Sequence, residues 1–327
     1  MILIEFQEGQ GLGNQLWLYA TARATADVLG LDLFIEGDHL FKGKNFLKIY
    51  YNSAANLSND LKDSLIVYNE PFFYDNNFAT YITYYDKDIL NIKKNIILRG
   101  VFQSDKYLLK YQKKIDKILN FDTSFIGPVV KLDHNICVIN LRGGEYKRFS
   151  DLILPRSYWK NAMTYMKKYK GASRFIIVTD DKYYARALFP NSEIISDNIS
   201  LCFKYLSIAK KIIVSNSSFS YFPISLNKNK PFVIAPAQWA RFGNPLRLWV
   251  APCNYYKDWH WMDSRGKIVL HKAIMKDLKK TWHYYNSNFE IKKNWPRVPY
   301  NFYFNFKIKI KRLILKKISY FFPTLIG

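Results

Sequence analysis

Residues 136–146 read Ile136-Cys137-Val138-Ile139-Asn140-Leu141-Arg142-Gly143-Gly144-Glu145-Tyr146. The four apolar residues that open this run are too few for a stable helix and suit a fully buried strand. That strand leads straight into an arginine, two glycines and a glutamate. A buried parallel strand ending in a polar, glycine-bearing turn is where open α/β sheets place their ligands. Two glycines permit close backbone approach and positive φ. The Arg142 guanidinium offers a rigid fork of donors suited to a phosphate or a carboxylate. Alone, the segment is equally a strand-to-loop turn with a surface arginine, so its weight comes from its surroundings.

Downstream, strands and helices alternate. A helix is predicted over 156–169, with Pro155 suited to its first turn, then a strand over 174–179 ending in Asp180-Asp181. A short strand at 193–196 ends at Asp197, followed by a helix over 199–211 and a strand at 212–214. Ser215-Asn216-Ser217-Ser218-Phe219-Ser220 comes next, then a helix at 221–226 and a strand at 232–235. This alternation is the mark of a doubly wound parallel sheet.

Upstream, residues 1–6 form a predicted strand, followed by Gly9-Gln10-Gly11-Leu12-Gly13-Asn14-Gln15 and an Ala-rich helix over 16–29. Strand, glycine turn and helix open a βαβ unit and aim backbone N–H groups from a helix N-terminus. A second strand is predicted at 31–35. Glu36 and Asp38 then lie where a dinucleotide fingerprint wants an acid, but the glycine spacing departs from that fingerprint. Residues 37–95 are expected to carry short helices and no legible chemistry. A strand over 95–99, a basic amphipathic helix over 106–120 and a domain boundary near Gly127-Pro128 complete this half.

The chain has 327 residues, enough for two domains with a substantial core. With 25 Tyr, 24 Phe and 8 Trp it favours a packed globular protein over a disordered one. Three cysteines (Cys137, Cys202 and Cys253) sit mostly in apolar runs and are expected to be buried thiols of a reducing compartment. Neither a signal peptide nor a spanning helix is expected. Against 26 Asp and Glu stand 49 Lys and Arg, a net charge of +23 that calls for a polyanionic partner. From Ile291 to Gly327 there are nine Lys or Arg and no acid. As a helix, 302–322 places Ile310, Leu313, Ile314, Ile318 and Phe321 on one face flanked by lysines, a pattern suited to an anionic membrane interface. The same tail packed on the protein's own core is the plainer alternative. Nucleic-acid binding is the reading from a different class; it is disfavoured because the tail sets nine of its charges beside apolar residues.

Four polar turns thus follow four predicted strands: Gly11 to Gln15, Arg142 to Glu145, Asp180-Asp181 and Ser215 to Ser220. Turns that converge on one sheet edge provide what a phosphorylated ligand needs. The blander readings are that Asp180-Asp181 and the serines of 215–220 cap the helices after them. The five histidines show no ligand spacing, so no metal site is expected. His260, between Trp259 and Trp261, is expected to be a packed structural residue.

As a set, the turns resemble a known family. Gly11-Leu12-Gly13-Asn14-Gln15-Leu16 with Tyr19-Ala20 resembles the "G-L-G-N-Q-x-x-x-Y-A" of the α-1,2-fucosyltransferases, glycosyltransferase family 11. Phe102-Gln103-Ser104-Asp105-Lys106-Tyr107 is similar to its "F-Q-S-E-K-Y", and Asn216-Ser217-Ser218-Phe219-Ser220 to its "N-S-S-F-S". Val233-Ile234-Ala235-Pro236 with Trp239, and Asp258-Trp259, are similar to its later motifs. The resemblance implies an α/β, GT-B-like fold of two Rossmann-like domains facing a cleft. Its expected parts are an acceptor-side domain over 1–130, a nucleotide-sugar domain over 131–290 and the basic amphipathic tail over 291–327.

It further implies inverting, metal-independent transfer of fucose from GDP-fucose, in α-1,2 linkage, to a cell-surface glycan or lipid-linked oligosaccharide. The GDP-sugar is a co-substrate, with no cofactor. The family's "H-x-R-R-G-D-Y" aligns with 140–146. Its first arginine, which clamps the donor pyrophosphate, is Arg142. The histidine is replaced by Asn140, the second arginine by Gly143 and the aspartate by Glu145. Catalytic roles are accordingly expected for Arg142, Asn14 and Glu145. Donor contacts are expected from Gly11, Gly13, Asn140, Asp180, Asp181, Asp197, Asn216, Ser217 and Ser218. The enzyme is expected in the cytoplasm, peripheral on the inner face of the membrane; another GDP-deoxyhexose is the alternative donor.

Overall fold

The computed structural model describes residues 1–76, 80–122, 124, 131–149, 152–196 and 198–295. Two parallel sheets dominate it. In the first half, β1 (Ile2–Glu5), β2 (Leu33–Glu36), β3 (Asn52–Ser53), β4 (Ile66–Asn69) and β5 (Ile96–Arg99) align in the order β3-β2-β1-β5-β4. In the second half, β6 (Ile136–Leu141), β7 (Arg174–Thr179), β8 (Glu193–Ile195), β9 (Lys211–Val214), β10 (Phe232–Pro236) and β11 (His260–Met262) align as β8-β7-β6-β9-β10-β11. All pairings in both sheets are parallel. The second order is the doubly wound one, and its direction reverses between β6 and β9. Two Rossmann-like halves are therefore present, the GT-B-like architecture expected.

The pleat explains why β6 is apolar throughout. Ile136 and Val138 face one side with Ile176, Val178, Ile212 and Val214, against Phe203 and Leu206 of α4 (Ile199–Ile208). Cys137, Ile139 and Leu141 face the other, with Ile177 and Ile213, against Tyr158, Trp159, Ala162 and Met166 of α2 (Arg156–Lys170). A sheet covered on both faces needs apolar residues at successive positions rather than at alternate ones. Cys137 and Cys202 are buried, Cys253 is partly so, and none of the three forms a disulfide among the described residues.

Helix α1 (Leu12–Leu29) is buried along most of its length and closes on Gly30, whose left-handed φ of 67° lets its N–H reach the Ala26 carbonyl. It joins the halves: Trp17 packs on Tyr221 and Phe222, with ring centroids 4.4 and 5.0 Å away. The chain also returns to the first half at its end. Ile291–Lys292 pairs antiparallel with Phe72 and Phe73, and the Trp295 indole donates to the Glu70 carbonyl at 2.6 Å. Beneath this seam Asp75 accepts from Arg241 at 3.1 Å and from Tyr285 of α6 (His271–Asn288) at 2.8 Å, with Arg241 and Asp75 both buried. The expected tail thus begins with residues docked on the first half, while the 302–322 segment lies outside the described residues.

Two sequence expectations are corrected. The helix expected over 106–120 is instead two 3-10 segments, Asp105–Tyr111 and Ile115–Lys117, and a strand, Leu119–Phe121. Leu109 at φ 50°, ψ −121° breaks the helical path, and Leu119–Phe121 pairs with Leu47–Ile49. Within 37–95, strands β3 and β4 and the antiparallel pair Phe72–Asp75 with Thr80–Thr83 appear alongside short helices.

Candidate active site at the switch point

The sheet order reverses between β6 and β9, the point at which open α/β sheets form a ligand crevice, and Arg142 and Ser215 to Ser218 follow the carboxyl ends of these two strands. The first half reaches this crevice through α1. That helix begins at Leu12, four residues before the sequence predicts, because Gly11 is its extended N-cap and Gln15 N–H already bonds the Gly11 carbonyl. Gly13 and Asn14 therefore lie in a helical first turn, whose early N–H groups have no partner within the helix. No side chain caps it, and no atom lies within 4 Å of the place a Gly11 Cβ would take.

Asn14 and Ser218 meet directly: Ser218 Oγ donates to Asn14 Oδ1 at 2.8 Å. Behind them, several buried polar atoms have no hydrogen-bond partner among the described residues: Asn140 Oδ1, Ser215 Oγ, and both Oδ1 and Nδ2 of Asn216. Leaving a buried amide or hydroxyl unpaired is costly. Four such atoms at one switch point are what a polar ligand would satisfy. Ser217 spends its hydroxyl on the Phe219 N–H at 3.4 Å, so the capping expectation holds for that serine.

Arg142 stands at the rim, but not as an open clamp. Its Nη1 lies 2.9 Å from Asp180 Oδ2, its Nη2 lies 2.9 Å from Glu145 Oε1, and its guanidinium sits 5.4 Å over the Tyr146 ring. Burial disfavours its charge, yet Asp180, Tyr146 and Glu145 outweigh burial and raise its pKa. Tyr146 in turn donates to the Asn216 carbonyl at 3.2 Å, tying the arginine turn to the serine-rich turn. Asp180 also accepts from the Gly143 N–H at 2.9 Å, and a Cβ on Gly144 would lie 2.4 Å from Asp180 Oδ2. A side chain at 144 would have to displace that carboxylate, and the φ of 30° at Gly144 is one that other residues rarely adopt.

Asp181 is a cap, accepting from the Tyr184 N–H at 2.9 Å. Burial works against its ionised form, but Lys147 and the Tyr184 and Gly144 N–H groups prevail and lower its pKa. Asp197 lies outside the described residues. His260 stacks on Phe232 at 3.9 Å, and burial lowers its pKa, the packed role expected of it. Among the described residues no group of three or more His, Cys, Asp or Glu is disposed to hold a metal ion. No described helix is long and apolar enough to cross a membrane.

Two residues of this site carry no role of their own in the sequence reading: Gln103, whose carboxamide lies 2.8 Å from that of Asn14, and Tyr146, which reaches the Asn216 carbonyl. Both lie inside stretches quoted from the sequence.

No family model matches the chain. In sequence it is 22% identical over 288 residues to the O-antigen biosynthesis glycosyltransferase WbnK of Escherichia coli, covering 73% of this chain and 95% of that protein. Among solved structures it is similar to a FUT1 mutant of Arabidopsis thaliana in complex with GDP, at 12% identity and a TM-score of 0.45, covering 71% of this chain and 70% of that one. It is also similar to the E. coli heptosyltransferase WaaC with ADP, at 10% identity and a TM-score of 0.42, covering 86% and 99% of the two chains. A third likeness is to the fucosyltransferase NodZ from Bradyrhizobium, at 13% identity and a TM-score of 0.39, covering 68% and 92%.

Proposed function

We propose that this chain is a glycosyltransferase that moves a sugar, fucose first among the candidates, from a GDP-sugar to a hydroxyl of a cell-surface glycan. The observation that carries this reading is the meeting of the Gly13–Asn14 turn with the Ser215–Ser218 turn around unpartnered buried amides. The sequence likeness to WbnK over most of both chains supports the reaction class. The α-1,2 linkage, inversion and independence from metal rest on the motif resemblance.

In this reading the chemistry consists of stabilising charge on the departing β-phosphate. Fixed N–H and O–H donors do this without reorganising, and one such donor is typically worth about 10²–10³ in rate. The first turn of α1, Asn14 and Asn216 supply donors from both sides. Arg142 joins them by exchanging a carboxylate for the diphosphate. Glu145 is the partner to exchange, since its side chain is 59% exposed against 28% for Asp180. Asn140 is buried at the end of β6, and in this reading it meets the nucleotide's polar edge.

A second donor, another GDP-deoxyhexose, is favoured by Asn140, an amide with an unpartnered oxygen where the resembling family has a histidine. A peripheral position on the inner membrane face, through 302–322, remains part of the proposal. It is supported by α6, which exposes Lys272, Lys276, Lys279 and Lys280 beside Met275 and Trp282, 45% and 40% exposed. The test is incubation with a panel of GDP-sugars and lipid-linked or free glycan acceptors, read by mass spectrometry. Transfer of a deoxyhexose is expected; turnover only with a sugar on a different nucleotide would overturn the donor assignment.

A further inference from the structure

Glu36 and Asp38, the two acids that the sequence sets after β2, belong to none of the donor turns. They lie at the edge of the first sheet from which the chain enters α1. β1 and β2 run parallel with Glu5 beside Glu36, and the Phe6 N–H donates to the Glu36 carbonyl at 2.9 Å. The chain then folds back over the end of β1. Gly37 permits this with its φ of 68°, where a Cβ would lie 2.6 Å from the Phe6 carbonyl oxygen. Phe41 stacks on Phe6, with ring centroids 5.6 Å apart.

Gln15 fastens this loop to the first turn of α1. It is fully buried and follows Asn14 directly. Its Nε2 donates to the Leu40 carbonyl at 2.9 Å, and its Oε1 accepts from the Lys42 N–H at 3.0 Å. Both partners are main chain, so the direction of this amide is fixed by them. The segment 38–42 is thereby held against the turn that meets Ser218.

The carboxylates at this edge are differently employed. Glu5 lies 3.4 Å from Arg99, and Glu36 lies 2.9 Å from Lys62. Glu70 is fully buried, its Oε2 accepting from the Val101 and Phe102 N–H groups at 2.8 Å each. Asp38 forms no ion pair among the described residues; its Oδ2 accepts from the Tyr51 hydroxyl at 3.2 Å, and its Oδ1 has no partner among them. Burial and Asp38 itself raise the Tyr51 pKa, which keeps that hydroxyl a donor. Asp38 is thus a half-buried carboxylate held at one oxygen and open at the other, as befits a base oriented by a third group. Glu8, on the exposed turn after β1, and the exposed His39 have no side-chain partner among the described residues to orient them.

We propose that Asp38 binds the reacting hydroxyl of the acceptor sugar and takes its proton. This rests on the transferase reading above. An inverting displacement brings the acceptor in opposite the leaving group, and with the diphosphate at residues 215–218 the acceptor side falls to the first half. The acceptor oxygen bonds to the anomeric carbon as the bond from that carbon to the β-phosphate oxygen breaks. GDP leaves with the electron pair, and the hydroxyl proton passes to Asp38 Oδ1.

Asp38→Asn tests this, since a carboxamide of the same shape still accepts a hydrogen bond but takes up no proton. Its kcat for transfer to a glycan acceptor is expected to fall about 10²-fold or more, the usual weight of a general base. GDP affinity and the unfolding temperature are expected to stay at their wild-type values. Glu8→Gln and His39→Gln remove the neighbouring groups able to take a proton, and both are expected to keep the wild-type kcat. Wild-type turnover by Asp38→Asn, or the full loss in Glu8→Gln or His39→Gln in its place, overturns the role. A fall in rate matched by an equal fall in GDP affinity, or by a lower unfolding temperature, also overturns it, because Asp38 then belongs to the scaffold. A wild-type chain that transfers no sugar from any GDP-sugar overturns the transferase reading and this role with it; in an active wild type, the variants bear on Asp38 alone.

Discussion

Gly13 meets Ser218 with no room for a side chain: a Cβ on Gly13 would lie 2.7 Å from Ser218 Oγ, 2.6 Å from the Ser218 carbonyl carbon and 2.5 Å from Phe219 N. The start of α1 and the turn after β9 are thus in backbone contact across the two halves. Two of those three neighbours are main chain and cannot swing aside. Gly13→Ala is therefore expected to destabilise the protein by about 1–3 kcal/mol, the usual cost of overpacking. Gly11→Ala, whose Cβ enters open space at an ordinary φ of −72°, is expected to change stability by about 1 kcal/mol or less. Urea unfolding of the two variants checks the contrast. Equal effects would mean that the halves do not touch here.

Asn216 separates a ligand residue from a structural one. Its amide atoms are buried and make no hydrogen bond among the described residues, so removing them relieves a cost instead of adding one. Asn216→Ala is expected to unfold at the wild-type temperature or above it while binding GDP about tenfold or more weakly. Loss of stability together with intact binding would assign Asn216 to the scaffold.

For Arg142 the expected loss on substitution by alanine is about 10²–10³ in turnover. Lysine is not expected to restore it. The guanidinium spans Asp180 and Glu145 at once and lies over Tyr146, and an ammonium cannot reproduce that fork. Single-turnover rates for both variants decide the matter. Near wild-type turnover of the alanine variant would leave Arg142 as an ion-pair residue only.

The fully buried Glu70 makes stability depend on pH. Burial pushes its pKa from 4.5 up to about 8, against the lowering influence of the Phe102 and Val101 N–H groups. Between those two values the native state keeps a proton that the unfolded chain releases. The stabilisation is therefore complete below about pH 4.5 and is lost as pH rises through about 8. Glu70→Gln keeps the accepting oxygen and cannot ionise, so its melting temperature relative to wild type is expected to climb over that interval. Scanning calorimetry from acid to mildly alkaline buffer reads the slope. A constant difference between the two proteins would show that Glu70 does not carry it.

Much of the second half was legible because its signals are local. A strand with apolar residues at successive positions between glycine- and serine-bearing turns implies a sheet covered on both faces, and 136–141 and 174–179 form as expected. The start of α1 was less clear, since Gly11-Leu12-Gly13 has the composition of a loop and only the pairing of Gln15 with Gly11 shows a helical turn. The 106–120 stretch departs from the helix expected there for a non-local reason: Leu119–Phe121 pairs with Leu47–Ile49, far along the chain. The same limit applies to the site. That Arg142 would be held by Asp180, and that Gln103 would reach Asn14, depends on which strands lie side by side. No spacing within a single segment reveals this.

A crystal structure of the chain with GDP would test the placement of the site most directly. The diphosphate is expected between the first turn of α1 and residues 215–218, within hydrogen-bond distance of the Asn14 and Asn216 side chains. Arg142 should then have released Glu145. Nucleotide seated elsewhere, with Asn216 still unpartnered and Arg142 still bound to both acids, would contradict it.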